Sequence, residues 1–254
     1  MKTEATRADK TKSPVPEASA TRRGSPWRRM VLGGAVASAV VLAATMVVIG
    51  EVIPPLVVFA VLFLAGAAIA RWKERPGAIA LGVLAVLFLA LDAPFIVPSL
   101  TVPASTADFL LTFFAVLASV TTLVAAVWVA RRSPGLRAAR FGGAMVALAL
   151  LGIGVAVVAR AGYAQAEARP GDEVLVAEEF EFGSAVVRTD SGDVSVFLEN
   201  RDAALHTFTI EELGVDLEVP ANSSGRVTFE ARPGRYEFIC VPHQPDMGGT
   251  LEVE

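Results

Sequence analysis

The residues that bind soft metal ions are few in this chain, and they lie close together near its C-terminus. The chain of 254 residues has one cysteine and two histidines, and all three, His206, Cys240 and His243, fall within 38 residues. Met247 follows His243 by four positions. Two imidazoles and one thiolate in a trigonal plane, with a weak axial thioether, are the ligand set of a blue copper centre. The sequence therefore predicts one copper site.

The same small inventory excludes several other kinds of metal site. One cysteine allows no disulfide within the chain and no zinc site with two or more thiolates. It also excludes a two-copper centre with bridging thiolates, and two histidines are too few for a multicopper oxidase. Zinc at the same residues is an alternative, but the thioether and the trigonal arrangement favour copper.

Short strands are the elements that must position these ligands. From residue 172 onward apolar and polar residues alternate with a period of two, in eight segments separated by turn residues. Eight short strands within about 80 residues, without a helical period, predict a β-sandwich. Cys240 would end one strand, a tight loop would return His243 and Met247 to the same point, and His206 would begin a neighbouring strand.

At these residues the C-terminal third of the chain resembles a cupredoxin of the plastocyanin and azurin family. The resemblance is carried by residues 234–249, GRYEFICVPHQPDMGG, and by the HTFTI segment that starts at His206. It implies a Greek-key β-sandwich with type 1 copper at one end. It also implies equatorial ligands at His206, Cys240 and His243, an axial ligand at Met247, and one-electron transfer through the exposed edge of His243.

Some features depart from the family's pattern. The interval from His206 to Cys240 is shorter than in plastocyanin, and plastocyanin has one more residue between its second histidine and its methionine. Azurin has the same three-residue gap as this chain. Thr207 stands where many relatives have an asparagine that steadies the cysteine loop. These differences bear on the reduction potential and the axial geometry.

The rest of the chain has the composition of a membrane protein. The whole chain is 54% hydrophobic and 19% charged, with a mean hydropathy of +0.55, which is too apolar for a soluble domain. Five apolar runs each approach the ~20 residues that cross ~30 Å of hydrocarbon, and none has a charge in its middle. They cover about residues 30–49, 54–70, 78–97, 109–130 and 141–159. The sequence thus predicts an α-helical membrane bundle of about five transmembrane helices, followed by the all-β sandwich.

Charge and composition divide the chain into four parts. Residues 1–29 are expected to be a disordered, basic cytoplasmic tail, and residues 30–160 the transmembrane bundle. Residues 161–171 are expected to be a linker before the extracytoplasmic cupredoxin domain at 172–254. This orientation follows from the tail and the loops: the segments that would lie inside hold fifteen Lys or Arg, and the outer loops hold none. Cleavage of the first span as a signal peptide is an alternative.

The bundle itself offers little chemistry. No ionisable residue lies at mid-depth in the five runs and no histidine lies in them, which argues against a proton path and a bis-imidazole haem. An anchor or a partner-binding bundle is therefore expected, and the alternative is a substrate path lined by backbone and by hydroxyls such as those of Thr112, Ser119, Thr121 and Thr122. The apolar segment 93–104, between the third and fourth runs, is a candidate to dock the copper domain.

Two functions from different classes follow from these features. The first is a membrane-anchored type 1 copper protein that transfers single electrons on the extracytoplasmic face. The alternative is a copper-binding protein for capture or delivery of the metal. An enzyme is not expected, because all four ligands come from the protein and leave no open position for a substrate.

Residues 166–254 hold six Arg against nineteen Asp and Glu, which suits either solubility or a basic redox partner such as a small cytochrome. The other partner is the lipid bilayer, and no nucleic acid is expected.

Overall fold

The structure, a computed structural model, describes residues 25–132 and 135–254. Residues 1–24, most of the tail predicted to be disordered, lie outside the described residues. Within the described residues six α-helices come first, and all but α4 are long and apolar enough to cross a membrane, which confirms the predicted set of five. The helices are α1 (Pro26–Ile49), α2 (Pro54–Trp72), α3 (Glu74–Leu91), α4 (Ala93–Thr101), α5 (Thr106–Ala130) and α6 (Ala138–Gly162).

The helix formed by the third apolar run ends earlier than the sequence predicts. A single helix was expected from residue 78 to about 97, but α3 ends at Leu91 and the separate helix α4 begins at Ala93. Pro94 is the physical reason, because its ring nitrogen cannot donate a hydrogen bond to the carbonyl of Ala90 and its ring would clash with that carbonyl. Proline is tolerated in the first turn of a helix, which is where Pro94 lies in α4.

Small residues bring the long helices close together. Helices α1 and α5 pack at Gly34, where a Cβ atom would lie 2.5 Å from the Oγ1 atom of Thr122. One turn further along, the Oγ atoms of Ser38 and Ser119 are 3.5 Å apart in the same buried interface. Packing of backbones across small residues is the usual way in which apolar helices associate in lipid.

A β domain of two facing sheets follows the helices. One sheet has the order β2-β1-β4-β7 and the other β3-β9-β8-β5-β6; the pairs β1–β4 and β3–β9 are parallel, so both sheets are mixed. All eight predicted strands have counterparts, and the two-residue strand β2 is additional. The strands are β1 (Glu173–Glu178), β2 (Glu181–Phe182), β3 (Val186–Thr189), β4 (Gly192–Asn200), β5 (His206–Ile210), β6 (Val215–Val219), β7 (Ser223–Ala231), β8 (Gly234–Ile239) and β9 (Gly248–Val253).

One apolar core joins the two sheets. Leu175 and Leu198 from the first sheet pack in the same buried cluster as Phe208 and Phe238 from the second. The ring centroids of Phe208 and Phe238 are 5.1 Å apart. Because each sheet buries one face against the other, the ends of β5 and β8 are held on a rigid scaffold.

The β domain rests on one end of the helix bundle. Val102 and Ala104, which follow α4, form a buried cluster with Leu205, so the candidate docking segment 93–104 does contact the β domain. Next to this cluster, the backbone N–H of Ala221 donates a hydrogen bond of 3.1 Å to the Oγ atom of Ser105. Leu205 immediately precedes His206, and the docking contact therefore lies directly beside the predicted metal ligands.

Backbone and side-chain hydrogen bonds also tie the end of α6 to the start of β7. The guanidinium of Arg160 donates to the Oγ atom of Ser223 and, over 3.2 Å, to the carbonyl of Asn222. The hydroxyl of Tyr163 donates over 3.1 Å to the carbonyl of Ser224. These bonds hold the chain leaving α6 against the β domain.

Candidate metal centre

Cys240, His243 and Met247 lie on one short connection between β8 and β9. Cys240 follows the last residue of β8, a single 3₁₀ turn covers Val241–His243, and Met247 immediately precedes β9. Three backbone hydrogen bonds close this connection: Cys240 N to Met247 O (2.9 Å), His243 N to Cys240 O (3.0 Å) and Met247 N to His243 O (3.0 Å). The connection is therefore held in one shape by its own backbone.

The structure brings three of the four predicted ligands within reach of one ion. The Sγ atom of Cys240 lies 3.3 Å from Nδ1 of His243 and 3.5 Å from Nδ1 of His206. One ligand atom from each of the three residues lies within 4.8 Å of the other two. Met247 is 1% exposed, and its side chain belongs to the same buried cluster as Cys240. His206 and Cys240 are fully buried, whereas His243 is half-buried.

Thr207 steadies the cysteine from the neighbouring strand β5. Its backbone N–H donates to the Sγ atom of Cys240 over 3.3 Å, and its hydroxyl oxygen accepts a hydrogen bond of 2.9 Å from the backbone N–H of Val241. The Oγ1 atom of Thr207 also lies 3.0 Å from that of Thr209, whose hydroxyl donates to Asp216. Thr207 thus contacts the cysteine loop through both its backbone and its side chain.

Asp202 fixes the orientation of the His206 ring. Its Oδ2 atom accepts a hydrogen bond of 2.7 Å from Nε2 of His206, which leaves Nδ1 with its lone pair directed towards Cys240. The same carboxylate accepts hydrogen bonds of 2.9 and 3.0 Å from the backbone N–H groups of Glu179 and Phe180. A carboxylate held at three points keeps the imidazole in one tautomer and one position.

The ring of Phe180 packs against both histidines. Its centroid lies 5.8 Å from that of His206 and 5.0 Å from that of His243, in edge contacts, and the two imidazole centroids are 4.8 Å apart. The positive φ angles of Glu179 and Phe180, 54° and 61°, turn the chain sharply after β1 so that this ring reaches the site. Phe180 therefore shields one side of the cluster from water.

Burial sets the protonation of these groups in the metal-free protein. Burial lowers the pKa of His206, and burial together with the neighbouring His206 lowers the pKa of His243 to about 4. Both imidazoles are therefore neutral near pH 7 and have lone pairs to donate. Burial raises the pKa of the Cys240 thiol to about 11, although hydrogen bonds from Thr207 and His243 oppose this rise. A bound cation must displace the thiol proton, which is the usual coupling of metal binding to pH.

The residues present fit a type 1 copper ion. Soft sulfur donors and neutral imidazoles suit copper, and carboxylates, which suit magnesium and calcium, do not point into this cluster among the described residues. The donors are two nitrogens and one thiol on a preformed scaffold, with a buried thioether on the same connection. Copper in such a ligand set supplies a one-electron couple.

Sequence analysis missed Asp202 and Phe180. Asp202 lies in a turn four residues before His206, and Phe180 follows the first strand as an ordinary apolar residue. Phe180 carries no signal of its own in the sequence, because it acts through contacts with residues that are distant in the chain. The one hint for Asp202 is its i, i+4 spacing from a predicted ligand.

One protein family matches part of this chain, and several solved structures resemble it at low similarity. The family of the cupredoxin-like domain matches residues 148–253. Among solved structures, amicyanin from Paracoccus versutus (Thiobacillus versutus) is 17% identical, with 35% of this chain and 86% of amicyanin covered and a TM-score of 0.30. A copper-containing nitrite reductase from Thermus scotoductus is 21% identical, with 34% and 23% covered and a TM-score of 0.29. Curated proteins gave no match. On the family match and the two-sheet fold, the C-terminal part of this chain is a cupredoxin-like domain.

Proposed function

We propose that the protein is a membrane-anchored type 1 copper protein that transfers single electrons. Its copper ion would be held by His206, Cys240 and His243, with Met247 as the axial ligand. The observation that carries this proposal is the convergence of the two imidazoles and the thiol within 4.8 Å of one another on a rigid strand-end connection.

Rigid, buried ligands favour electron transfer over copper capture or delivery. His206, Cys240 and Met247 are buried; His206 is held by the hydrogen bond that it donates to Asp202, and Cys240 by the one that it accepts from Thr207. A site that keeps its geometry in both oxidation states needs little rearrangement when an electron arrives. A delivery protein instead needs ligands that an acceptor can reach and replace, and here only His243 is half-exposed. With four ligands from the protein, the site is a carrier rather than an enzyme centre.

The five long apolar helices support anchoring in a membrane. The proposed limits are those of the sequence: a bundle at 30–160, a linker at 161–171 and a copper domain at 172–254. Apart from Arg160, every Lys and Arg in the first 162 residues lies in the tail or at the end of the bundle that is remote from the β domain, which supports a cytoplasmic N-terminus and an extracytoplasmic copper domain.

A basic redox protein such as a small cytochrome is the proposed soluble partner. Glu179 and Glu181 flank Phe180 and are exposed, and the exposed Asp246 precedes Met247. These carboxylates place negative charge beside the metal ligands, and the whole region 166–254 is strongly acidic. Attraction of this kind is screened within about 10 Å at 0.1 M salt.

We expect stopped-flow reduction of a basic cytochrome c to slow several-fold between 10 and 200 mM salt. A rate that does not change with salt would remove this partner class.

Titration of the full-length, detergent-solubilised chain with Cu(II) tests the copper site. We expect an intense thiolate-to-copper charge-transfer band in the visible spectrum and a narrow copper hyperfine splitting in EPR. Cys240→Ser should abolish the band, because serine offers no thiolate. Met247→Leu should alter the EPR parameters, whereas the matched variant Met46→Leu, in helix α1, should leave them unchanged.

The outcomes of this titration separate the two candidate functions. Cu(II) binding without the band, or tight binding of Cu(I) alone with rapid exchange to a chelator, would favour copper capture or delivery. Absence of copper binding would overturn both.

A further inference from the structure

A large cavity lies where the helix bundle meets the copper domain. Its volume is about 510 Å³, within the ~300–1,000 Å³ range of small-molecule sites. The ends of α1, α2, α3 and α5, together with α4, form most of its wall. The wall is mainly aliphatic and aromatic, and it includes the rings of Phe59 and Phe88, which meet edge-on with centroids 5.3 Å apart.

The predicted metal ligand His243 forms part of the wall of this cavity. Pro242 and His243 line it from the β domain, and so does Phe180, whose ring packs against His243 at 5.0 Å between centroids. The half-exposed side of the imidazole therefore faces the apolar helices. A molecule in the cavity would reach the ligand by which cupredoxins are expected to exchange electrons, without passing through water.

Apart from His243, the polar residues that line the cavity lie on the helix side and include the carboxylates of Glu51, Asp92 and Asp108. Asp92, between α3 and α4, lines the cavity, and its Oδ2 atom is buried without a hydrogen-bond partner among the described residues. Ser99 and Asp108 also line it, and the hydroxyl of Ser99 donates to the carboxylate of Asp108 over 3.0 Å. A buried carboxylate oxygen without a partner is costly, and a ligand hydroxyl that donates to it would remove that cost.

We propose that this cavity binds a lipophilic hydroquinone, an electron donor dissolved in the membrane. An aromatic ring suits the edge contacts that Phe59, Phe88 and Phe180 offer. A ring hydroxyl matches the unpaired oxygen of Asp92, and an alkyl tail matches the remaining apolar wall. The proposal rests on the proposed function for its redox role, because the electrons would leave through His243.

The electron count sets how the site would use such a donor. Oxidation of one hydroquinone to the quinone releases two electrons and two protons. A copper ion held by these residues would supply a one-electron couple, so two oxidising equivalents would be consumed per hydroquinone and the soluble partner would have to accept one electron from the site between the two steps. The two protons pass to water.

Equilibrium binding to the copper-free full-length chain tests the cavity independently of the metal. Radiolabelled decyl-1,4-benzohydroquinone is the probe, kept anaerobic in detergent micelles, and decylbenzene is the control ligand that has the same tail without hydroxyls. We expect saturable binding of the hydroquinone at one site per chain and binding of decylbenzene at least about tenfold weaker, the effect of one charge-assisted hydrogen bond. Equal binding of the two ligands would overturn the proposal and identify the cavity as a site for lipid chains.

Two substitutions locate the binding. Asp92→Leu should weaken hydroquinone binding about tenfold without weakening decylbenzene, whereas the matched variant Glu74→Leu, at the opposite end of α3, should leave both unchanged. Thr112→Phe, on α5, should fill the cavity and abolish binding of both ligands, and it stands as an independent test if Asp92→Leu does not fold. Binding unaffected by Thr112→Phe would overturn the proposal.

Copper titration of the same preparations separates this proposal from the function on which it rests. Saturable hydroquinone binding in a chain that forms no blue copper site would contradict electron transfer but keep the ligand site. A blue site in a chain that does not bind hydroquinone would contradict the cavity proposal alone.

Discussion

Asp202 holds the ring of the predicted metal ligand His206 in one position. Its carboxylate accepts the 2.7 Å hydrogen bond from Nε2 and is itself held by two backbone N–H groups. Loss of such an outer-sphere partner typically lowers metal affinity about 10- to 100-fold. We expect Asp202→Asn to weaken Cu(I) binding by this factor in a competition titration against a chromogenic chelator. Asp193→Asn, on an exposed position of β4, is the control. Unchanged affinity in Asp202→Asn would show that the carboxylate serves only the turn.

Thr207 holds the cysteine loop through its hydroxyl group. Valine has nearly the same shape as threonine but no hydroxyl, so Thr207→Val tests this hydrogen bond alone. The change removes the hydroxyl that accepts the 2.9 Å hydrogen bond from the half-buried backbone N–H of Val241. An N–H group left unpaired in this way costs about 1–3 kcal/mol. We expect Thr207→Val to lower the thermal midpoint of the β domain by several degrees, as followed by circular dichroism near 215 nm. Thr228→Val, on the exposed face of β7, should change it little. A midpoint equal to that of the unmodified chain would mean that the loop shifts and that the backbone N–H of Val241 finds a water molecule as its acceptor.

At the level of elements, sequence reasoning succeeded where periodicity is strong. The apolar runs predicted the five long helices, and the alternation of period two predicted eight strands, because each pattern reports the face that an element buries. Sequence reasoning failed at α3 and α4. The apolar residues there continue without a break past Pro94, whereas the helical hydrogen bonds are interrupted. The proximity of His206, Cys240 and His243 could be predicted because these residue types are rare in the chain. Contacts between distant segments, such as those of Phe180 with both imidazoles, leave no local pattern.

The ion pair between Asp172 and Arg226 joins the start of β1 to β7. Arg226 donates to both carboxylate oxygens over 2.8 to 3.0 Å, and the Asp172 side chain is 1% exposed. These hydrogen bonds hold the pKa of Asp172 below its ordinary value. A carboxyl with a lowered pKa stabilises the folded state above its unfolded pKa of about 3.9, and this contribution is lost as the pH falls through the folded value.

Asp172→Asn should therefore destabilise the protein at pH 7 and make little difference at strongly acidic pH. The measurement is the thermal midpoint of the copper-free chain between pH 7 and pH 3, with the exposed Asp190→Asn as control. The gap between the Asp172→Asn chain and the unmodified chain should narrow once the pH falls below about 4. A gap that is constant over the whole range would mean that the pair contributes through packing and not through charge.

For the whole molecule, the firm seating of the copper domain on the helix bundle is what places His243 over the apolar cavity. Arg160 and Tyr163 fasten the end of α6 to the start of β7, and the chain then continues as an exposed segment that contains Glu167. If these bonds hold the domain, the double variant Arg160→Gln/Tyr163→Phe should release it, because both residues lose donors that reach the β domain. We expect glutamyl endopeptidase to cleave after Glu167 several-fold faster in this variant, while the copper spectrum stays unchanged because the ligands remain on their own scaffold. Arg188→Gln, which breaks the exposed pair with Glu252, should leave the cleavage rate unaltered. Equal cleavage in all three chains would mean that the remaining contacts, such as the buried cluster of Val102, Ala104 and Leu205, are enough to seat the domain.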